Sequence, residues 1–550
     1  MKLETSWVSP PQSIGGLDHL GTQAPCILIY SQLLPGITNV TDRARYYSFY
    51  TWLIWSFDQR YAKDDAAHFI EMFRRADCLF TLIAERHAHV TDRDNERHGV
   101  AMVGRFQLVS ALDRLENDQP LILSEYTAQD SPHRYFKNPM GGLSQYYAGT
   151  LADLHLLDSS TKPWMKYTKE RGAPLARKVD AAVPGDRFWA TVEADVVSVE
   201  DLDALSDFCP CRLASSKEER KALTAIFFDT EAAYGEEGGQ RRRSLALIQQ
   251  FANAYPEDYE FSEWLFRACA YSGALTGAES WDVSIPLQST KEHWSIYVRN
   301  DLLSVACQAV WAQSLRELQP QAVDSWHFFN SVESFASRFV VRPDIAKAIR
   351  KMGAATFVEL LEHLRKHAPN LQDWESDAHE VKITEDILDT WKAGEPADVL
   401  VPKLLRLLAT LAVRDDPGKP AYGNMAISPE ALSDYPINLL SFRKRVADWQ
   451  SMALEDMLSD LVVWCLNTHL RVALRKLRQT GRSTFHLRPT ERGLEVVGTD
   501  IPPPSYTTPR FRQAVQILRD IGVFTRDESS EFRLTRLSDD GEKLMEAASA

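Results

Sequence analysis

Two residues of this chain have types and a spacing that suit acid–base chemistry. Arg93 and His98 begin and end the segment RDNERH, residues 93–98. A histidine titrates near neutral pH and can move a proton as a general acid or base, while an arginine can hold an anion. With 14 histidines among 550 residues, however, about one such spacing is expected by chance. The two residues are therefore a candidate catalytic pair, and the alternative is a solvated loop between two helices.

The cysteines could bind a metal, but their spacing argues against it. Cys209 and Cys211 are separated by one residue instead of two, and no Cys or His pair lies nearby in sequence to complete a tetrahedral set of ligands. His87 and His89 also lack partners at the ligand spacing of a helix. The common phosphate-loop, serine-hydrolase and zinc-protease motifs are absent. We therefore expect no metal and no cofactor, with both cysteines at the end of a buried helix.

A concentrated run of basic residues favours anion binding. Between residues 471 and 492 there is a single acidic residue, Glu491, in a chain whose net charge is -14. Spacings of four and three put Arg471, Arg475 and Arg478 on one face of a helix. Such a face suits a phosphate backbone, although cations at a helix end also complement the helix dipole. The basic residues of this run are Arg471, Arg475, Lys476, Arg478, Arg482, Arg488 and Arg492.

An aromatic helix is expected near the N-terminus. Residues 46–57, YYSFYTWLIWSF, place apolar side chains in every direction around a helix. A helix that is apolar all round is buried, so we predict core there and not an exposed platform for stacking bases. Arg43 and Arg45 stand at the start of this helix and form a candidate polar site.

The elements that must position these residues are mostly helices. Apolar residues recur at spacings of three and four along most of the chain, which predicts a mainly α fold. Loops are expected at residues 132–142, 236–244, 414–422 and 501–509, where Gly and Pro concentrate. The predicted helices span residues 43–62, 65–87, 143–157, 217–228, 242–254, 290–318, 345–367, 387–391, 399–413 and 439–478.

The C-terminal end combines short strands with short helices. Residues 483–497 predict a hairpin, residues 509–522 a helix, and residues 523–525 and 532–537 a second strand pair before a last helix. From residue 513 to residue 548 this order resembles the recognition helix, wing and closing helix of bacterial winged-helix domains. The preceding helix of such domains is replaced here by a proline-rich stretch.

The winged-helix resemblance implies contact with nucleic acid. In such domains the helix enters the major groove and the wing contacts phosphate. A use in protein contact, with the arginines solvated, is the alternative. The residues that the resemblance assigns to nucleic acid are Arg510, Arg512, Arg519, Arg526, Arg533 and Arg536.

Two further segments resemble bacterial defence proteins. RDNERH matches the Arg-polar-x-x-x-His pattern of the HEPN ribonucleases, which implies a helical enzyme in which Arg93 and His98 serve a metal-independent attack by a ribose 2′-hydroxyl. PGITNVTDRARYY, residues 35–47, is similar to the N-terminal motif of uncharacterised bacterial families found in antiphage defence islands. Members of those families are encoded beside helicases, nucleases or ATPases. That similarity implies a defence context and partners of these kinds, but no reaction.

Composition indicates the class of protein, and the Gly- and Pro-rich loops suggest its domain boundaries. The N-terminus lacks the pattern of a signal peptide, no run of 18 apolar residues exists, and seven scattered cysteines fit a reducing cytoplasm. We expect an N-terminal helical domain at residues 1–135 and helical domains at residues 140–235 and 240–415. Long helices at residues 425–480 and a hairpin plus winged-helix-like domain at residues 481–550 follow.

These observations predict a mainly α, multi-domain helical protein with a small C-terminal α+β winged-helix-like domain. The function we expect is that of a non-catalytic subunit of a bacterial antiviral defence system. It would bind a DNA or RNA backbone, partner subunits, or both, through its basic C-terminal third. A HEPN-like ribonuclease effector and a purely protein-binding scaffold or adaptor are the alternatives.

Overall fold

The chain folds into a mainly α, multi-domain protein, as the sequence predicts. The computed structural model describes residues 18–40, 43–61, 65–91, 102–115, 119–161, 163–319, 329–491, 493–497, 500–527 and 534–549. Within these ranges, no helix is both long and apolar enough to cross a membrane.

Helices account for most of the described residues. A π-helical turn at Leu143–Tyr147 and 3-10 turns at Ser206–Phe208, Pro210–Ser215 and Thr276–Ala278 interrupt the α-helices. The α-helices are α1 Gln23–Leu33, α2 Arg45–Arg60, α3 Ala66–Thr91, α4 Arg105–Leu115, α5 Leu123–Thr127, α6 Ala148–Asp153, α7 Gly172–Asp180, α8 Gly185–Ala194, α9 Val199–Ala204, α10 Lys217–Phe228, α11 Gly235–Ala254, α12 Glu263–Ser272, α13 Ile285–Leu318, α14 Val332–Val340, α15 Pro343–Arg350, α16 Phe357–His367, α17 Glu380–Lys392, α18 Ala397–Arg414, α19 Leu439–Trp449, α20 Leu454–Thr480, α21 Phe511–Asp520 and α22 Asp539–Ser549.

The strands are short and pair two by two. Each pairing is antiparallel: β1 with β4, β2 with β3, β5 with β6 and β7 with β8. The last two pairs are the hairpins predicted near residues 483–497 and 523–537. The strands are β1 Leu121–Ile122, β2 Leu157–Asp158, β3 Lys166–Tyr167, β4 Val196–Val197, β5 Leu487–Thr490, β6 Gly493–Val496, β7 Phe524–Arg526 and β8 Thr535–Leu537.

Two compact units divide the chain, and each is assembled from separated stretches. Unit 1 comprises Met1–Ser31, Trp264–Asp282 and Lys291–Thr507. Unit 2 comprises Gln32–Glu263, Val283–Thr290 and Thr508–Ala550. The C-terminal helix–hairpin–helix segment therefore belongs to the same unit as the N-terminal aromatic helix. The five consecutive domains expected from the sequence stay a prediction.

Helix α2 lies in the core of unit 2, which confirms the prediction made from its all-round apolar pattern. Twelve of its 16 residues are buried. Phe49 stacks on Phe80 of α3 with ring centroids 3.8 Å apart, and Trp52 lies 5.0 Å from Phe208. Each fully buried ring of this kind contributes about 1.5–3 kcal/mol. The buried aromatic side chains of α2 therefore stabilise the fold and are not accessible for stacking on bases, while Trp55 is half-buried.

A buried carboxylate ties the predicted loop at residues 132–142 to this core. Asp77 on α3 accepts hydrogen bonds from the hydroxyls of Tyr50 at 2.8 Å and Tyr135 at 2.7 Å, and from the backbone N–H of Gly142 at 3.2 Å. Burial raises the pKa of Asp77, because the low dielectric around it disfavours the charged form. The loop is irregular, as predicted, and Arg74 on α3 donates to its carbonyls at Asn138 and Phe136, at 2.7 and 3.2 Å.

The core of unit 1 is a set of packed helices. Helix α18 lies against α15, α16 and α17, and α14 lies against α20. The face of α20 that carries Leu461, Cys465 and Val472 is buried. Its opposite face is therefore free to carry charge.

The linker predicted at residues 236–244 is wrong, because these residues lie within α11. Two glycines and three arginines suggested a breaker, but tertiary packing overrides that composition. Arg241 is buried and donates to the carbonyls of Phe227 and Ile226 at 2.9 and 3.0 Å. A Cβ at Gly238 would collide with the carboxylate of Asp229, so the glycine permits a close approach of two segments.

Two long predicted helices are each divided in the structure. The helix predicted at residues 345–367 breaks between α15 and α16, where Gly353 has a φ of +73° and Thr356 forms a capping box with Glu359. That capping signal was present in the sequence and marks a new helix start. The helix predicted at residues 439–478 breaks between Trp449 and Leu454. By contrast, α10 has the predicted bounds.

Candidate nucleic-acid interface

Three arginines at the C-terminal end of α20 are exposed to solvent. Arg471 and Arg478 lie seven residues apart, so they share a face of the helix at a separation of about 10 Å along its axis. Arg482 follows Gly481, whose φ of +68° ends the helix. All three side chains are exposed, and none has an ion-pair partner among the residues that the structure describes. We call these three residues the α20 arginines.

The two remaining cations of this helix end hold the fold in place. Arg475 is half-buried, donates to the carbonyl of Asp434 and lies over the ring of Tyr435 at 4.9 Å. Lys476 donates to the carbonyl of Asp18 at 2.6 Å. Burial lowers the pKa of Lys476, because the packed side chain loses part of the water that would stabilise its charged ammonium. Both residues are therefore positioned by protein contacts, unlike the α20 arginines.

Apolar residues are exposed between the α20 arginines. Leu474 is 41% exposed and Leu477 is 36% exposed, whereas Val472 and Ala473 are buried. The helix end therefore presents both charge and apolar surface. In the following hairpin, Arg488 pairs with Glu495 at 3.0 Å, with both side chains about half exposed. Arg492 lies outside the described residues.

The arginines of the C-terminal segment in unit 2 differ in accessibility. Arg512 is exposed, whereas Arg510, Arg519, Arg526 and Arg536 are half-buried. Arg510 donates to the carbonyl of Leu34 at 2.8 Å, Arg519 to the hydroxyl of Thr535 at 3.2 Å, and Arg536 pairs with Glu257 at 2.6 Å. Arg533 lies outside the described residues.

Part of the polar face of α21 contacts the N-terminal region of unit 2. Asp520 at the end of α21 pairs with Arg43, and Gln513 donates to the carbonyl of Asn39 at 3.2 Å. In the winged-helix resemblance this helix would enter the major groove, where its polar face must be open. Arg512 is the arginine of α21 that is exposed in the structure.

Arg43 and Arg45, the candidate polar site, are buried. Arg45 donates to Glu219 on α10 at 2.9 Å and to the backbone carbonyls of Asp207 and Cys209, the second at 2.9 Å. Ser48 completes the set by donating to Glu219 at 2.6 Å. The planar arginine fork reaches three acceptors that are spread around it, whereas a lysine presents its donors from a single nitrogen. These residues position the segment that carries Cys209.

The fold brings together three groups that sequence spacing kept apart. Cys211 Sγ lies 3.3 Å from His87 Nδ1 and 3.5 Å from Cys209 Sγ. His87 is 124 residues from Cys211, which is why a search for a local second ligand pair did not find this cluster. The cysteines lie at the junction of two 3-10 turns and not at the end of a buried helix. The one-residue spacing of Cys209 and Cys211 argued against a metal site, although Cys-Pro-Cys is the one local signal of this cluster.

The candidate catalytic pair, Arg93 and His98, lies outside the described residues. The HEPN-like ribonuclease therefore stays a prediction of the sequence.

Compared with models of protein families, with curated proteins and with solved structures, the chain gives no match.

Proposed function

We propose that this chain is a non-catalytic subunit of a bacterial antiviral defence system, and that it binds the phosphate backbone of nucleic acid through the α20 arginines. The observation that carries the proposal is the exposure of Arg471, Arg478 and Arg482 together at one helix end. The defence context is supported by the similarity of residues 35–47 to a motif of antiphage families.

The charges around the α20 arginines favour an anionic ligand. Arg475 and Lys476 add two further cations to the same helix end, although their side chains contact protein. Most phosphate contacts of nucleic-acid-binding proteins come from arginine and lysine, and they fix position without reading sequence. In a chain whose net charge is -14, such a local concentration would bind an anion while the rest of the surface repels it. We therefore expect binding with little sequence preference.

A binding assay on the whole chain tests this function. Fluorescence anisotropy of labelled duplex DNA, single-stranded DNA and RNA compares wild type with the triple variant Arg471→Ala, Arg478→Ala, Arg482→Ala at low salt. Three lost phosphate contacts should weaken binding at least tenfold, since each charged contact contributes on the order of 1 kcal/mol. Equal binding by wild type and the triple variant contradicts the proposal.

The control removes the same number of charges elsewhere in unit 1. Arg350, Arg365 and Lys366 are exposed residues of α15 and α16, and their replacement by Ala also lowers the net charge by three. This charge-matched variant should bind like wild type. A loss of binding equal to that of the triple variant would indicate a general charge effect and contradict a site on α20.

Exposed apolar residues on the same helix end favour a second candidate function, in which a protein partner binds there. Leu474 and Leu477 are exposed near the α20 arginines, and arginine is enriched at protein interfaces, where contiguous apolar surface marks the contact. The double variant Leu474→Ala, Leu477→Ala separates the two functions. It should leave nucleic-acid binding unchanged, whereas capture of a co-encoded helicase, nuclease or ATPase that fails with this variant would favour the adaptor.

A further inference from the structure

Three metal-binding side chains of unit 2 converge although they come from distant parts of the chain. One potential ligand atom from each of His87, Cys209 and Cys211 lies within 4.8 Å of the others. His87 projects from the last turns of α3, and the two cysteines flank Pro210. Cys209 is buried, while His87 and Cys211 are half-buried. The cluster therefore has a closed side and a side nearer to solvent.

We propose that His87, Cys209 and Cys211 bind a zinc ion. Two thiolates and an imidazole form a soft donor set, which suits zinc and does not suit magnesium or calcium. This binding site does not depend on the proposed nucleic-acid function.

The distances fit a tetrahedral ion. With Zn–S near 2.3 Å and Zn–N near 2.0–2.1 Å, the edges of a tetrahedron are about 3.8 Å between sulfurs and about 3.6 Å between sulfur and nitrogen. The corresponding distances here are 3.5 Å between Cys209 and Cys211 and 3.3 Å between Cys211 and His87. These two pairs are thus within about 0.3 Å of their separation around zinc, and the third pair, Cys209 and His87, has ligand atoms within 4.8 Å of each other. Binding of the ion therefore requires the Cys209 and His87 side chains to close to about 3.6 Å, the separation of sulfur and nitrogen around zinc.

The backbone that carries the cysteines is held rigidly. Cys209 is extended, with φ -56° and ψ 136°, as expected for a residue before proline. Its carbonyl accepts from the buried Arg45 at 2.9 Å. Phe208, one residue earlier, packs 4.5 Å from Phe188 and 5.0 Å from Trp52 in the aromatic core. The aromatic helix α2 and its arginine therefore preorganise the cysteines, which lowers the cost of assembling the ligands.

Binding requires a proton balance at the two sulfurs. Each thiol loses its proton to solvent when its sulfur bonds to zinc, so one Zn²⁺ replaces two protons. The resulting cluster of one dication and two thiolates is neutral, which suits its partly buried position. Among the described residues three ligands converge, so the fourth tetrahedral position is left for water or for a further ligand.

Metal analysis of the intact protein tests the site. Protein purified under reducing conditions should contain about one zinc per chain, and after chelation it should take up one Co²⁺ per chain. Co²⁺ bound to thiolates gives sulfur-to-metal charge-transfer absorption together with the visible bands of tetrahedral cobalt. The absence of both zinc and that absorption in folded wild type overturns the proposal, as does a Cys209–Cys211 disulfide that forms equally in the presence of zinc.

Variants assign the ligands. Cys211→Ser and His87→Ala should each lower metal affinity at least tenfold, because a lost ligand is replaced by water. His89→Ala removes an exposed imidazole from the same helix end, and Cys78→Ala removes another buried thiol of α3; both should retain the metal. Retention of zinc by Cys211→Ser and His87→Ala would show that the ion lies elsewhere. The zinc content and the cobalt absorption of folded wild type decide whether the site exists. The proposal therefore remains testable even if one of these variants fails to fold.

Discussion

Arg43 and Asp520 form a buried ion pair that joins residues 477 positions apart. Arg43 Nε lies 3.0 Å from Asp520 Oδ2, and Arg43 Nη2 lies 3.0 Å from Oδ1. The backbone N–H of Ala44 donates to Oδ2 and Gln516 to Oδ1, each at 2.9 Å. The side chains of Arg43 and Asp520 are 2% and 5% exposed, so this carboxylate connects α21 to the start of α2 away from water.

Removal of one member of this pair should strongly destabilise unit 2. Asp520→Ala leaves the Arg43 guanidinium buried without its carboxylate, which costs about 3–5 kcal/mol. Urea unfolding followed by tryptophan fluorescence measures the loss. The double variant Arg43→Met, Asp520→Leu should lose less than Asp520→Ala alone, because it leaves no uncompensated charge.

An exposed pair in the same unit is the control. Glu257, which pairs with Arg536, is 78% exposed, so Glu257→Ala should change stability by no more than about 0.5 kcal/mol. Equal effects of Asp520→Ala and Glu257→Ala would contradict a structural role for the Arg43–Asp520 pair.

Arg45 should position the zinc ligands without contacting the ion. Arg45→Lys keeps the charge but loses the fork that reaches Glu219 and the carbonyls of Asp207 and Cys209. We expect the affinity for zinc to fall about tenfold, the usual effect of a lost supporting contact, with one ion still bound at saturation. Competition with a chromophoric chelator measures this affinity.

The matched control lies at the other end of α2. Arg60 is 33% exposed and pairs with Asp186 and Glu193, so Arg60→Lys should leave zinc affinity unchanged. An unchanged affinity in Arg45→Lys would show that the arginine only stabilises the fold.

A cluster of neutral histidines should make unit 1 sensitive to acid. His469 Nε2 accepts from the backbone N–H of His486 at 3.0 Å, so its Nδ1 carries the proton and donates to the carbonyl of His19 at 3.1 Å. Burial, followed by the repulsion that protonated His486 and His469 would exert, lowers the pKa of His19 to about 3, and burial lowers the pKa of His469 to about 4. Lys476 lowers both pKa values further.

The direction of the pH effect follows from these lowered values. The unfolded chain takes up protons on these histidines near pH 6.5, whereas the folded chain does not until about pH 4. Stability contributed by the neutral cluster is therefore complete above about pH 7 and decreases as the pH falls from there. The urea midpoint of unfolding should decrease steadily between about pH 7 and about pH 5.

The variant His19→Phe tests whether His19 causes the loss of stability at low pH. His19 stacks on Trp311 with centroids 5.0 Å apart and planes 17° apart, an arrangement that a phenyl ring can keep. The variant should lose less stability on acidification than wild type, since one titrating group is gone. An identical pH dependence in both proteins would exclude His19 as a cause.

The two arginines at the start of α21 should respond differently to substitution, because Arg510 contacts protein and Arg512 is exposed. Arg510→Ala removes a hydrogen bond to the carbonyl of Leu34 and should cost about 1 kcal/mol in thermal unfolding. Arg512 is exposed, so Arg512→Ala should stay within about 0.5 kcal/mol of wild type and should not change nucleic-acid binding. A decrease of about one in the salt slope of Arg512→Ala would instead place phosphate on this helix.

Sequence patterns predicted the helices and strand pairs whose formation depends on local side-chain periodicity. The all-round apolar pattern of α2, the bounds of α10 and both C-terminal hairpins follow from side-chain periodicity and turn residues. The shared helix face of Arg471 and Arg478 was also predictable from their spacing, but the contact of Arg475 on that face with Tyr435 was not.

Contacts between distant segments could not be predicted in this way. The partner of Arg43 lies 477 residues away and the histidine beside Cys211 lies 124 residues away, so no local pattern indicates either. Glycine content suggested a linker where Gly238 instead makes room for Asp229 within a helix. In each case tertiary packing determines the local structure or the contact, and a single sequence carries no direct signal of that packing.

The salt dependence of binding tests the central claim most directly. If the α20 arginines neutralise three phosphates of duplex DNA, the slope of log K against log salt is about -2.7, and affinity falls about 40-fold between about 50 and about 200 mM salt. The triple variant of Arg471, Arg478 and Arg482 should lose most of that slope, while the charge-matched variant of Arg350, Arg365 and Lys366 keeps it. A slope shared by wild type and the triple variant would contradict binding of phosphate at this helix end.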